Sequence, residues 1–177
     1  MTIKEILVCG NPRLREKSEK VAKISKSIEQ LVSDMFDTLQ KAKGIGLAAP
    51  QIGVLKRVII IDLHTKDEDY TGVMINPEIT KKYGEKTVMQ EGCLSIPEVY
   101  CDVERPEFID VSYMSLYGKK EKMIGVGKML SRVIQHEVDH LNGVLFIDRL
   151  NKEERMKAAV ILEKSKNIEK QKPESNL

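Results

Sequence analysis

Ile28, Leu31, Val32, Met35, Phe36, Leu39 and Ala42 recur at spacings of three and four. That rhythm is one face of an amphipathic helix. Ser25 or Ser27 can open it, and Gly44 stands near its close. The periodicity then breaks into a glycine-rich stretch, Gly44-Ile45-Gly46-Leu47-Ala48-Ala49-Pro50-Gln51-Ile52-Gly53. Arg57 to Leu63 is a β-branched run, which predicts a buried strand, and Val73 to Pro77 predicts another short one. The polar segment His64 to Thr71 between them reads as a surface loop. From about Glu85 to Tyr117 several short strand-like segments occur, Phe108 to Tyr113 among them, with a hairpin turn expected at Gly118-Lys119. The helical period returns from Gly127 to Leu141, carried by Met129, Leu130, Val133, Ile134, Val138 and Leu141, and stops at Asn142-Gly143. After the short apolar run Val144 to Ile147, Asn151 caps a last helix, with Glu154 three positions on as in a capping box. Met156, Ala159 and Val160 are its candidate docking face.

Strands gather in the middle and helices flank them without βαβ alternation, which predicts an α+β fold. The expected architecture is short antiparallel strands packed around a central helix, Gly127 to Leu141, with a C-terminal helix behind. One domain over residues 1–163 is expected, followed by a charged tail, 164–177, with too few apolar anchors to stay ordered. Charge narrows the functional classes. Twenty-nine basic residues against 27 acidic ones leave only +2, without the basic stripe of a dedicated nucleic-acid binder. No apolar run is long enough to span a bilayer. The apolar run at the N-terminus is too short for a signal peptide, and Glu5 comes too early, so a cytoplasmic location is expected. Three cysteines, an odd number, disfavour a disulfide framework. Cys9 and Cys101 read as packing residues, and His64 as a solvated surface histidine.

The chemistry concentrates in the second helix. Gln135-His136-Glu137-Val138-Asp139-His140 contains H-E-x-x-H. Residues four apart share a helical face, so both imidazoles can reach one metal ion, and the intervening Glu137 can hold a water beside it. Burying that carboxylate without a purpose would cost several kcal/mol. Two histidines do not complete a site. The position six residues after His140, where one zinc protease class has a third His, is Phe146. Glu163, about twenty residues downstream, is one candidate third ligand. Cys93, in the turn-like Glu91-Gly92-Cys93-Leu94-Ser95-Ile96-Pro97, is the other. A His₂Cys set would leave one position open for water, as catalytic sites do. Gln51, after Pro50 in a rigid stretch, offers an amide as a fixed donor.

Three of these segments, Gly44 to Gln51, Glu91 to Ser95 and Gln135 to His140, occur in the order found in peptide deformylases. Asn11-Pro12-Arg13-Leu14-Arg15 and Val103-Glu104-Arg105-Pro106 also resemble that family, and the similarity spans about residues 5 to 150. The compact Glu91 to Pro97 segment resembles the shorter bacterial type. The resemblance implies removal of the formyl group from the N-terminal methionine of new proteins, releasing formate. It implies Cys93, His136 and His140 as metal ligands, with Fe(2+) as the native ion and Zn(2+), Ni(2+) or Co(2+) able to replace it. Glu137 would move the proton, while the Gln51 amide and the Leu94 backbone N–H would stabilise the oxyanion. The peptide would lie as an added strand between Ile45 or Gly46 and Gly92. Its methionine would enter a pocket lined by Ile45, Met89, Met129 and Val133, with the stem of Arg132 as a further wall. A buried Glu91–Arg105 pair would brace the site. The implied partners are N-formyl-methionyl nascent peptides, with the ribosome near the exit tunnel, and neither a membrane nor a specific nucleic acid. Small departures from the family pattern are Ser131, Ser115 and Tyr100, the last near the expected path of longer peptides. Two rival readings differ sharply: an H-E-x-x-H endopeptidase with Glu163 as ligand and an expendable Cys93, and a non-catalytic metal- or peptide-binding relative.

Overall fold

The computed structural model describes residues 2–171, with side chains through residue 162. In chain order it contains α1 (Lys26–Ala42), β1 (Gly46–Ala48), β2 (Val58–His64), β3 (Asp69–Cys93), β4 (Ile96–Met114), β5 (Lys120–Val126), α2 (Lys128–Leu141) and α3 (Lys152–Gln171). The five strands form one antiparallel sheet in sequential order. The α+β architecture matches the expectation, but two of its strands are long. β3 runs for 25 residues and β4 for 19. Asn76-Pro77 and Gly84-Glu85 look like breaks in the sequence, yet they are register shifts inside one continuous pairing. Asn76 adopts φ 53° and Gly84 φ 79°. Such bulges bend a strand without ending it. The bend carries the distal half of the β3–β4 hairpin across the second helix, and the hairpin closes at Cys93↔Ile96 with Leu94 and Ser95 as its turn.

β2 explains how two helices share one sheet. Alternate side chains leave opposite faces of a strand. Ile59, Ile61 and Leu63 join Val133, Ile134, Val138 and Leu141 of α2 in one core cluster. Val58 and Ile60 join Leu31, Val32, Met35 and Leu39 of α1 in another. A third cluster, under the hairpin tip, combines Leu14, Ile96, Val103, Phe146 and Leu150 with Ala158 of α3 and the half-buried Cys9 and Cys101. That cluster sets the phase of α3 differently from the sequence expectation. Ala158 is the buried residue, whereas Met156 and Val160 are 63% and 53% exposed and Ala159 is also exposed. The Asn151 cap is as expected, its side-chain oxygen accepting from the Glu154 N–H at 2.9 Å. The expected frayed tail, 164–177, lies outside the described side chains. Among the described residues, no helix is long and apolar enough to cross a membrane.

Candidate metal centre and substrate cleft

α2 is buried along its whole length from Ser131 to Leu141, polar residues included. A helix buried all round is normally apolar, so every polar side chain here needs a partner. Most have one. Arg132 donates to Glu91 at 3.0 Å and to the carbonyls of Val103 and Thr87, each at 2.8 Å. Gln135 donates to the Pro106 carbonyl at 3.0 Å. Asp139 accepts from Arg105 and Arg149. Among the described residues, three buried side-chain atoms lack a partner, and two of them, Glu137 Oε2 and His140 Nδ1, belong to H-E-x-x-H.

The hairpin tip delivers the remaining donor. Cys93, His136 and His140 each offer one ligand atom within 4.8 Å of the others. Cys93 Sγ lies 3.1 Å from His140 Nε2. His136 Nδ1 lies 2.9 Å from Glu91 Oε2, so Nε2 is the atom left for the cluster. This is the arrangement by which a carboxylate orients a ligating imidazole. The electrostatics favour a cation. Burial works against a charged His136, but the Cys93 sulfur and the Glu91 carboxylate outweigh it and hold the imidazole well above its usual range. Burial, reinforced by the charge of His136, pushes His140 well below. One thiol and two imidazoles suit a divalent transition ion, which would displace that proton. Glu163, the rival ligand, lies outside the described side chains.

The Glu91–Arg105 brace is present as a fork, with bonds of 2.6 and 2.8 Å. Burial opposes ionisation of Glu91, but Arg105 and then His136 outweigh it and hold the carboxyl at about 2. A carboxyl lowered on folding adds stability that is full above its unfolded value near 4.5 and disappears as pH falls through about 2. That shift corresponds to about 3 kcal/mol. Glu91→Gln is therefore expected to lose about 3 kcal/mol at neutral pH, because the buried Arg105 keeps Asp139 but loses the charged half of its pairing. It should also flatten the acid limb between those two pH values. Urea unfolding across that range checks both. Equal pH slopes for variant and wild type would remove Glu91 from this role.

A cavity of about 470 Å³ opens beside the cluster. Of the residues expected to bind substrate, Ile45, Gly46, Gly92, Met129 and Val133 line it, as do Gln51, Cys93, Leu94, His136 and Glu137. Met89 does not. It lines a smaller neighbouring cavity of about 120 Å³, and Arg132 lies on the walls of both. Arg132 contributes more than an aliphatic wall, since its guanidinium ties α2 to both strands of the hairpin. Lys43, Glu98 and Tyr100 also line the cleft. Glu98 and Tyr100 reach it from β4, and Lys43 from the C-terminal cap of α1. Close approach constrains two glycines, Gly46 against buried side chains and Gly92 against the exposed Tyr100 ring. A Cβ on Gly46 would meet Glu137 Oε1 at 2.6 Å and Val133 Cγ1 at 2.8 Å, and one on Gly92 would meet the Tyr100 ring at 2.5 Å. Gln51 is held at both ends of its amide. Its Oε1 accepts from the Ala48 N–H at 2.8 Å, and its Nε2 donates to Ser95 Oγ at 3.1 Å and lies 3.5 Å from Cys93 Sγ. Burial raises Glu137 to about 7 despite the opposing charge of His136.

Two imidazoles and a thiol converging in a cleft, with a buried carboxylate next to one imidazole, define an H-E-x-x-H metal hydrolase. Comparison with known proteins narrows the class. Residues 3–156 match the family model of polypeptide deformylase. The peptide deformylase of Afipia carboxidovorans is 48% identical over 156 residues, 88% of this chain and 91% of that protein. Among solved structures, the peptide deformylase of Legionella pneumophila is 40% identical with a TM-score of 0.88, covering 97% of this chain and 100% of its own. That of Ehrlichia chaffeensis, in complex with actinonin, is 36% identical with a TM-score of 0.88, covering 98% of this chain and 100% of its own. The chain belongs to the polypeptide deformylase family.

Proposed function

We propose that this enzyme removes the formyl group from N-formyl-methionyl nascent peptides, with Cys93, His136 and His140 as the metal ligands. The observation that carries the reading is the convergence of those three donors within 4.8 Å at a cleft walled by Ile45, Met129 and Val133. The ion, when bound, supplies Lewis acidity and lowers the pKa of water. By resemblance it is Fe(2+), with Zn(2+), Ni(2+) or Co(2+) able to replace it.

The chain's own groups do the rest. Glu137, raised to about 7 by burial, takes a proton from the attacking water and returns it to the leaving amine. The Gln51 amide cannot flip without losing its bond from Ala48, so its N–H₂ stays on the cysteine side of the cleft. There it and the backbone N–H of Leu94 donate to the developing oxyanion. Backbone groups of Ile45 or Gly46 and of Gly92 hold the peptide as an added strand. Residues 1–163 act as one catalytic domain.

Formate release from formyl-Met-Ala-Ser, with metal content measured on the same anaerobic sample, tests the reading. Metal-loaded protein that releases no formate overturns it. Pocket specificity has its own expected outcome. Val133 is buried and lines the cavity, so Val133→Phe should raise KM for formyl-Met substrates without altering metal content. Formyl-norleucine should remain a substrate, while formyl-Asp is rejected because its charge would be desolvated without a partner. Comparison of kcat/KM for the three peptides decides, and identical values in variant and wild type would take Val133 out of the pocket.

A further inference from the structure

α2 begins without a cap of its own. Gly127 precedes it and has no side chain to accept from the first N–H groups. Four such groups lack intrahelical partners at any helix start. The next residue, Lys128, stands at φ 52°, a left-handed conformation that L side chains disfavour. The chain thus makes a strained turn immediately before Met129, which lines the substrate cleft.

The missing acceptor comes from sixty residues away. Glu68 Oε2 accepts from the Met129 N–H at 2.9 Å, and Oε1 accepts from the Leu130 N–H at 3.3 Å. Both oxygens of one carboxylate are spent on consecutive backbone donors at the positive end of the helix, where an anion is favoured. The turn that presents Glu68 is itself closed. The Thr65 N–H donates to the Glu68 carbonyl at 2.8 Å, and Thr65 Oγ1 accepts from the N–H groups of Asp67 and Glu68 at 3.3 and 3.0 Å. Glu68 is also half-buried. A fixed turn that closes the β2–β3 hairpin therefore grips the first turn of the catalytic helix. In the sequence this segment reads as an ordinary charged loop.

We infer that Glu68 is a positioning residue for substrate selection: by holding the Met129 and Leu130 amides it fixes the Met129 wall of the pocket that receives the methionine side chain. The inference rests on the deformylase reading. It concerns binding rather than chemistry, because Glu68 touches neither the metal ligands nor Glu137, and the first turn of α2 lies ahead of both.

Glu68→Ala and Glu68→Gln, compared with wild type, test it. For formyl-Met-Ala-Ser, Glu68→Ala should raise KM roughly fivefold, the equivalent of one lost helix cap. Its kcat should stay within about twofold and its metal content should not change. Glu68→Gln keeps one acceptor oxygen and should fall between. The ratio of kcat/KM for formyl-Met over formyl-Phe peptides should drop along the same series. Amide exchange at Met129 and Leu130 should accelerate in Glu68→Ala while exchange at His136 and His140 stays slow. A wild type that releases no formate would overturn both the deformylase reading and this inference. A normally active wild type with unchanged KM and selectivity in Glu68→Ala would overturn the inference alone. Unchanged exchange at Met129 would do so too, whatever the kinetics.

Discussion

Cys93→Ala is expected to yield a folded protein that binds no ion tightly and releases no measurable formate. In the proposed ligand set the side chain is one of three protein donors, and no replacement stands near among the described residues. Among the described residues, the one group of three or more His, Cys, Asp or Glu side chains placed to share an ion is Cys93, His136 and His140. Gln51 Nε2 lies 3.5 Å from the sulfur, but it is a donor and cannot substitute as a ligand. The fold should survive. Cys93 closes a hairpin whose pairing continues for many residues, and its partly buried side chain sits at the margin of the third core cluster. Metal analysis after dialysis, beside a thermal unfolding curve, separates loss of the ion from loss of the fold. A Cys93→Ala enzyme that keeps full metal and full activity would sink the His₂Cys site and revive the endopeptidase reading with Glu163. Glu163→Ala, conversely, should leave metal content and formate release at wild-type levels.

The reasons that parts of this molecule could be read in advance are local. The period of α1 and α2, the β-branched run of β2 and the H-E-x-x-H spacing each depend on neighbours in the chain, and α1, β2 and α2 lie within a residue or two of their expected bounds. What could not be read depends on distant partners. Asn76-Pro77 and Gly84-Glu85 carry the composition of breaks. They become bulges because a second long strand runs alongside, and the Asn76 side chain bonds the backbone N–H and carbonyl of Val21 at 2.8 Å. The phase of α3 is set by the cluster around Phe146 and Leu150, which selects Ala158 over the larger Met156 and Val160. Met89 is expected in the substrate pocket, and it lies two residues from Glu91, which lines the cleft. Strand alternation does put both on one face, but Met89 lines the smaller cavity beyond. Arg132 illustrates the same limit. Its place on the helix was predictable, whereas its bonds to Glu91, Val103 and Thr87 require the bent hairpin to lie over α2.

Glu137→Gln is expected to separate the ion from the chemistry. The amide is nearly isosteric with the carboxylate, and the space is tight: a Cβ on Gly46 would already lie 2.6 Å from Glu137 Oε1. The variant should therefore keep the local packing and bind metal as well as wild type, because Cys93, His136 and His140 are untouched. It cannot accept a proton at near-neutral pH or return one to the departing amine. General acid–base groups typically contribute about 10²–10⁴-fold, and kcat should fall by that order. The environment of Glu137 matches the role. Burial raises the carboxyl to about 7, against the opposing charge of His136, so its affinity for a proton lies near working pH. Its Oε2 has no hydrogen-bond partner among the described residues, although buried carboxylate oxygens are ordinarily satisfied. An oxygen left in that state beside the ligand cluster is placed to hold a water. Stability should move the other way from activity. Replacing a buried, unpartnered carboxyl with a neutral amide removes a desolvation cost, so metal-loaded Glu137→Gln should melt no lower than wild type. Turnover by the metal-loaded variant close to that of wild type would show that the proton travels by another route and would end the assignment of Glu137.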